Sequence, residues 1–119
     1  MSIEKNYYVI AGFDLTKYKT EKYEDWKWTE EGDKLICYQN KGNIQLFDDP
    51  MSGDHFYIGY ILAHGDEYCF DTTKFDMEMV NEARYDVALK LVDLINLEVV
   101  ERACLLDIKY QVIVFEECY

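Results

Sequence analysis

The chain has 119 residues, half of them apolar and 16% aromatic, and 24 Asp plus Glu against 12 Lys plus Arg set its formal net charge at -12. The apolar content excludes a disordered acidic tail, and the length suits a single α+β domain over residues 1–119 with one hydrophobic core. The charge excludes direct binding of nucleic acid, since a surface of this sign repels phosphates.

No apolar run approaches the ~18 residues of a membrane-spanning helix. Met1-Ser2-Ile3-Glu4-Lys5-Asn6 also lacks the basic-then-apolar layout of a signal peptide. The expectation is a cytoplasmic protein with no membrane partner.

In chain order, Tyr7-Tyr8-Val9-Ile10-Ala11-Gly12-Phe13 is apolar on both alternating faces, as an interior strand would be. A lysine- and tyrosine-rich stretch follows, and Asp25-Trp26-Lys27-Trp28 alternates like a short strand before a turn at Glu30-Glu31-Gly32-Asp33. Leu35-Ile36-Cys37-Tyr38 reads as the next strand. The Asn and Gly residues of 39–43 suit a tight turn, so Ile44-Gln45-Leu46-Phe47 is expected to return antiparallel. After the polar loop around Pro50, Phe56 to Leu62 carries the strongest strand signal, and a turn at His64-Gly65-Asp66 leads to a short strand at Tyr68-Cys69-Phe70.

The apolar period then changes from 2 to 3.6. Val80, Ala83, Val87, Leu91 and Leu94 or Ile95 recur at helical spacing from about Phe75 to Ile95, with Thr73 and Asp76 placed like a capping box. Leu97 to Leu105 fits either a short helix or an irregular connection. Lys109 to Phe115 reads as a strand returning to the sheet, beside the first. The fold class expected is therefore α+β: a mainly antiparallel meander of six or seven strands with one long amphipathic helix packed on one face.

Chemistry-bearing residues are few. Cys37, Cys69, Cys104 and Cys118 form no Cys-x-x-Cys pair, so buried free thiols are expected, with neither zinc nor disulfide. Asp48, Asp49, Asp54 and His55 at one turn, with His64 and Asp66 at another, are the one metal constellation to consider. Their spacing lacks the alternating ligands and closing Glu of a calcium loop, and turn chemistry accounts for them. No nucleophile–base signature and no glycine-rich phosphate loop occurs, so no catalytic residue, no metal and no cofactor is expected.

Two features point to a partner instead. Residues 1–28 carry five acids and five lysines, whereas residues 29–119 carry 19 acids and seven bases. The negative field therefore belongs to the later part, where Glu78, Glu82 and Asp86 lie near the start of the helix. Tyr18, Tyr23, Trp26 and Trp28 sit among lysines in the balanced part, and exposed Tyr and Trp supply binding anchors.

The segments Trp26-Lys27-Trp28-Thr29-Glu30-Glu31-Gly32 and Ile44-Gln45-Leu46-Phe47-Asp48-Asp49-Pro50-Met51-Ser52-Gly53, with Tyr110-Gln111-Val112-Ile113-Val114-Phe115-Glu116-Glu117, resemble the small acidic accessory proteins of unknown function from phages and prophages of Gram-positive bacteria. The resemblance brings no catalytic residues. It implies a context, the host cell cytoplasm, and a mode of action in which a small protein binds a host enzyme, as anti-CRISPR and anti-restriction mimics of nucleic acid do. The functional expectation is a non-enzymatic protein that inhibits a host nucleic-acid-binding defence enzyme through its acidic surface. The alternatives are a binder of small ligands with an aromatic pocket between sheet and helix, and a virion or assembly component whose sheet edges pair in a homo-oligomer.

Overall fold

The structure, a computed structural model, describes residues 5–36, 43–48, 55–66 and 76–118. Strand β1 (Lys5–Asp14) is followed by two short helices, α1 (Lys22–Trp26) and α2 (Glu30–Leu35), then by β2 (Ile44–Asp48), β3 (Phe56–Asp66), α3 (Met77–Asn96), a 3₁₀ turn (Arg102–Leu106) and β4 (Gln111–Cys118). The four strands form one antiparallel sheet in the order β2-β3-β1-β4, with α3 packed on it. The α+β class, the long helix and the return of the C-terminal strand beside the first are as the sequence leads one to expect.

The strand count and the meander are not. Among the described residues the sheet has four strands, and β1 pairs with β3 and β4 rather than with its successor. Trp26 closes a helix instead of sitting in a strand, because the segment around it is organised by a cap. Thr29 Oγ1 accepts from the Gly32 amide at 3.1 Å and donates to the Trp26 carbonyl at 2.7 Å. The acids expected to make a turn, Glu30, Glu31 and Asp33, fall in the first turn of α2, where the helix dipole favours negative charge. Ile36 makes a parallel bridge to Leu46, so no antiparallel hairpin joins residues 35–36 to β2; Cys37 and Tyr38 lie outside the described residues. His64, Gly65 and Asp66 continue β3 because β1 is long enough to pair with them, Asn6 opposite Asp66. The strand expected at residues 68–70 lies outside the described residues.

Helix α3 begins one turn later than the capping box suggests. Asp76 is itself the cap, its Oδ1 accepting from the Met79 amide at 2.9 Å, while Thr73 lies outside the described residues. The apolar stripe Val80, Ala83, Val87, Leu91, Leu94 and Ile95 is buried as its period requires. It meets Ala11, Phe13, Leu46, Ile58 and Leu62 of the sheet, with Tyr23 and Ile36 filling the space beside β2. Past the helix, Glu98 adopts φ 62° and its amide bonds back to the Ile95 carbonyl. Thr20 Oγ1 donates to the Glu98 carbonyl at 2.6 Å and Lys22 pairs with the Glu98 carboxylate. The stretch leading into α1 is thereby tied to the end of α3, and a bridge between Lys19 and Val100 reinforces the tie.

The face of the sheet away from α3 makes its own core. Tyr8, Ile10 and Phe47 are buried there with Tyr57, Ile61, Ile113 and Phe115 packed against them. Phe115 is the hub, touching the rings of Tyr8, Phe47, His55 and Tyr57. In a flat sheet β2 and β4 would be about 14 Å apart, three strand spacings. Ring contact between them requires a sheet coiled over this face. Two local features support the coiling. The register of β1 with β3 shifts at Val9/Ile10, and a Cβ at Gly12 would overlap the Ile58 carbonyl oxygen, so the strands approach there more closely than any other residue permits.

Candidate interaction surfaces

The aromatic segment does not form one exposed anchor. Tyr23, expected as a partner-binding residue, is completely buried, and its hydroxyl donates to Asp48 Oδ2 at 2.9 Å. Lys19 Nζ lies 3.2 Å from Asp48 Oδ1 and 5.2 Å from the ring centroids of both Tyr23 and Phe56. Tyr23 is buried rather than exposed because its ring packs edge-on against Phe56, and the lysine neutralises the carboxylate that the phenol needs as acceptor.

Tyr18 is half-buried and donates to Asp107 Oδ2 at 2.6 Å. The anionic partner holds its phenol proton so firmly that its pKa is pushed up to about 12. Trp26 is half-buried with its ring 6.1 Å from that of Tyr23, and its indole nitrogen has no acceptor among the described residues. Trp28 is 82% exposed, with Lys27 Nζ 5.3 Å from its ring centroid. Of the four aromatics proposed for binding, only Trp28 stands in solvent.

Of the residues considered for a metal, the described ones do not converge. Both Asp48 oxygens are engaged by Lys19 and Tyr23. His55 is buried and stacked on Tyr57 at 4.9 Å, and His64 is stacked on Tyr8 at 4.4 Å with its Nε2 3.3 Å from Asn6 Oδ1. Asp49 and Asp54 lie outside the described residues, and among the described ones no group of three His, Cys, Asp or Glu is placed to hold an ion. Cys104 is a buried free thiol, and burial pushes its pKa up, away from the reactive thiolate.

A cleft of about 610 Å³ opens between α2, β2 and the second half of α3. Its apolar lining comes from Trp26, Leu35, Ile44, Leu94 and Leu97, with Lys34 and Lys90 among its polar residues. The volume is that of a site for a small ligand. Among its lining residues Trp26 is the one aromatic; the aromatic cluster proper packs on the other face of the sheet.

The outer face of α3 is the feature that the sequence reading missed. Glu78, Glu82 and Asp86 follow one another at four-residue steps and are all exposed, as expected. Beside them run Tyr85, Leu89 and Val92, also at helical spacing, which the core leaves in solvent: Tyr85 is 70%, Leu89 48% and Val92 45% exposed. Asp93, seven residues and two turns beyond Asp86, lies on the same side, with the exposed Lys90 one step after Asp86. The helix therefore has two apolar stripes, one toward the sheet and one away from it. Reading the 3.6 period a second time, from Tyr85, would have revealed the outer one.

Comparison of the chain with protein-family models, with curated proteins and with solved structures found no match.

Proposed function

We propose that the protein is a non-enzymatic interaction protein that docks the outer face of α3 on a basic, nucleic-acid-binding surface of a host protein. The observation that supports this is the pairing on one rigid helix of an acidic ridge, Glu78, Glu82, Asp86 and Asp93, with the exposed apolar stripe Tyr85, Leu89 and Val92. A charge of either sign alone merely solvates a surface; acids flanking a desolvatable apolar strip supply both steering and a buried contact. The net charge of -12 adds long-range attraction for a cationic groove. The resemblance to phage accessory proteins agrees with this reading and supplies the host context.

The test is a pull-down from bacterial lysate in which retained proteins are challenged with duplex DNA or RNA and with salt. Release by nucleic acid, weakening with salt and loss of retention in a Glu78→Gln/Glu82→Gln/Asp86→Asn variant are expected. Retention that ignores all three would overturn the proposal. The cleft beside Trp26 favours a second reading, the binding of a small apolar ligand, and a ligand-induced change in tryptophan fluorescence that Leu97→Glu, at an exposed position of the lining, abolishes would favour it instead.

A further inference from the structure

The two edges of the sheet are treated differently by the fold. Strand β2 is five residues long and is flanked by Ile36, which bridges Leu46, so that edge is shielded. Strand β4 is eight residues long, pairs with β1 through eight consecutive positions without a bulge, and has no strand beyond it among the described residues. Its stretch Gln111-Val112-Ile113-Val114-Phe115 contains no charge and no proline, the devices that ordinarily protect an edge. Val114 is 73% exposed, and Val112 and Met77 are exposed as well.

We infer that β4 is a self-pairing edge, and that its occupant is β4 of a second copy, joined antiparallel about Ile113 into one eight-stranded sheet. The sequence of the strand is what selects this occupant. It has a cation, Lys109, just before its uncharged stretch and an anion, Glu116, just after it. Antiparallel pairing about Ile113 places Val112 of one copy opposite Val114 of the other on the α3 side, and sets Glu116 opposite Tyr110, one position from Lys109. Parallel pairing would put like charges together. The two Glu116 positions fall at opposite ends of the junction, about 20 Å apart at strand spacing and beyond the screening length of physiological salt. An even register also keeps both α3 helices on the same side of the joined sheet. The inference is independent of the proposed α3 interface, which lies on another surface.

The experiment is light scattering across a protein concentration series at 150 mM salt, on the wild type, on Val114→Lys and on Leu106→Lys. Leu106 is 92% exposed and ends the 3₁₀ turn, seven residues before Ile113 and outside β4, so it serves as a nearby control that the pairing strand does not cover. A concentration-dependent dimer is expected for the wild type and for Leu106→Lys. Val114→Lys, whose fold is checked by circular dichroism, should raise the dimer dissociation constant about tenfold or more, because a lysine then faces the pairing strand from each copy. A wild-type monomer at every concentration overturns the inference, as does a dimer that Val114→Lys leaves intact or that Leu106→Lys disrupts equally.

Discussion

Phe47 and Phe115 occupy the two opposite edge strands of the sheet, yet their rings meet edge to face with centroids 5.0 Å apart. The contact means that the open sheet curls over the face that α3 leaves bare, its edge strands meeting through side chains and not through backbone pairing. One layer of four strands thereby supports two cores, one against the helix and one within its own curl.

Phe115→Ala should accordingly weaken the whole domain although the residue is only half-buried. It removes four ring contacts at once, and a loss of roughly 3 kcal/mol is expected at the lower end of the usual range for such truncations. Urea denaturation measures it. A midpoint within experimental error of the wild type would mean that the curl is not held by this ring.

The two stripes of α3 predict opposite behaviour for neighbouring leucines. Leu91→Ala, at a buried position, should cost about 2–5 kcal/mol. Leu89→Ala, on the outer stripe, should change stability by no more than about 0.5 kcal/mol and reduce partner retention instead. Equal losses of stability from both would show that the outer stripe is covered within the chain.

At Asp48 the phenol and the ammonium share one carboxylate. Tyr23→Phe keeps the ring packing and removes only the hydrogen bond to a charged acceptor, worth about 1.5–3 kcal/mol. Lys19→Met, which leaves the carboxylate without its counter-charge, should cost at least as much. Thermal denaturation of the two single variants and the double variant would resolve the coupling, and strict additivity would contradict a shared network.

Tyr18 makes a prediction at high pH. Its phenol is pushed up to about 12, first by the hydrogen bond to Asp107, from an ordinary value near 10. Between these values the folded chain binds the proton more tightly than the unfolded chain. The contribution to stability is thus fully present below pH 10 and is lost as pH rises through 12. Burial raises Tyr57 and Tyr110 as well, so ultraviolet titration should show a late-ionising group of tyrosines, of which Asp107→Asn returns only the Tyr18 share toward 10. A titration curve unaltered by Asp107→Asn would discount the hydrogen bond.

How much of this was legible in the sequence differs from element to element. Strands β1 and β3 and helix α3 declare themselves because burial on one or both faces imposes a period on many residues. Residues 22–35 mislead because Trp26 and Trp28 mimic a period of two over too short a span. The decisive local signal there was Thr29 followed by acids, a helix start rather than a turn. The order of the strands was hidden for another reason: β1 pairs with β4 across nearly the whole chain, and no local pattern encodes a partner that far away. Of the site residues, Glu78, Glu82 and Asp86 are on the surface as their spacing requires. The burial of Tyr23 depends on Asp48 and Lys19, which come from other elements and leave no mark around position 23.

The central place of β1 has a consequence in time. During synthesis this strand emerges with both its edges unpaired and both its faces apolar, and its two partners follow only after some fifty and one hundred further residues. Until then it is a sticky intermediate with nothing to stick to. Folding dominated by such distant pairings belongs to the slow range of milliseconds to seconds. The acids that crowd the later part of the chain would then act first as a solubility device, keeping nascent copies apart while each waits for its own final strand.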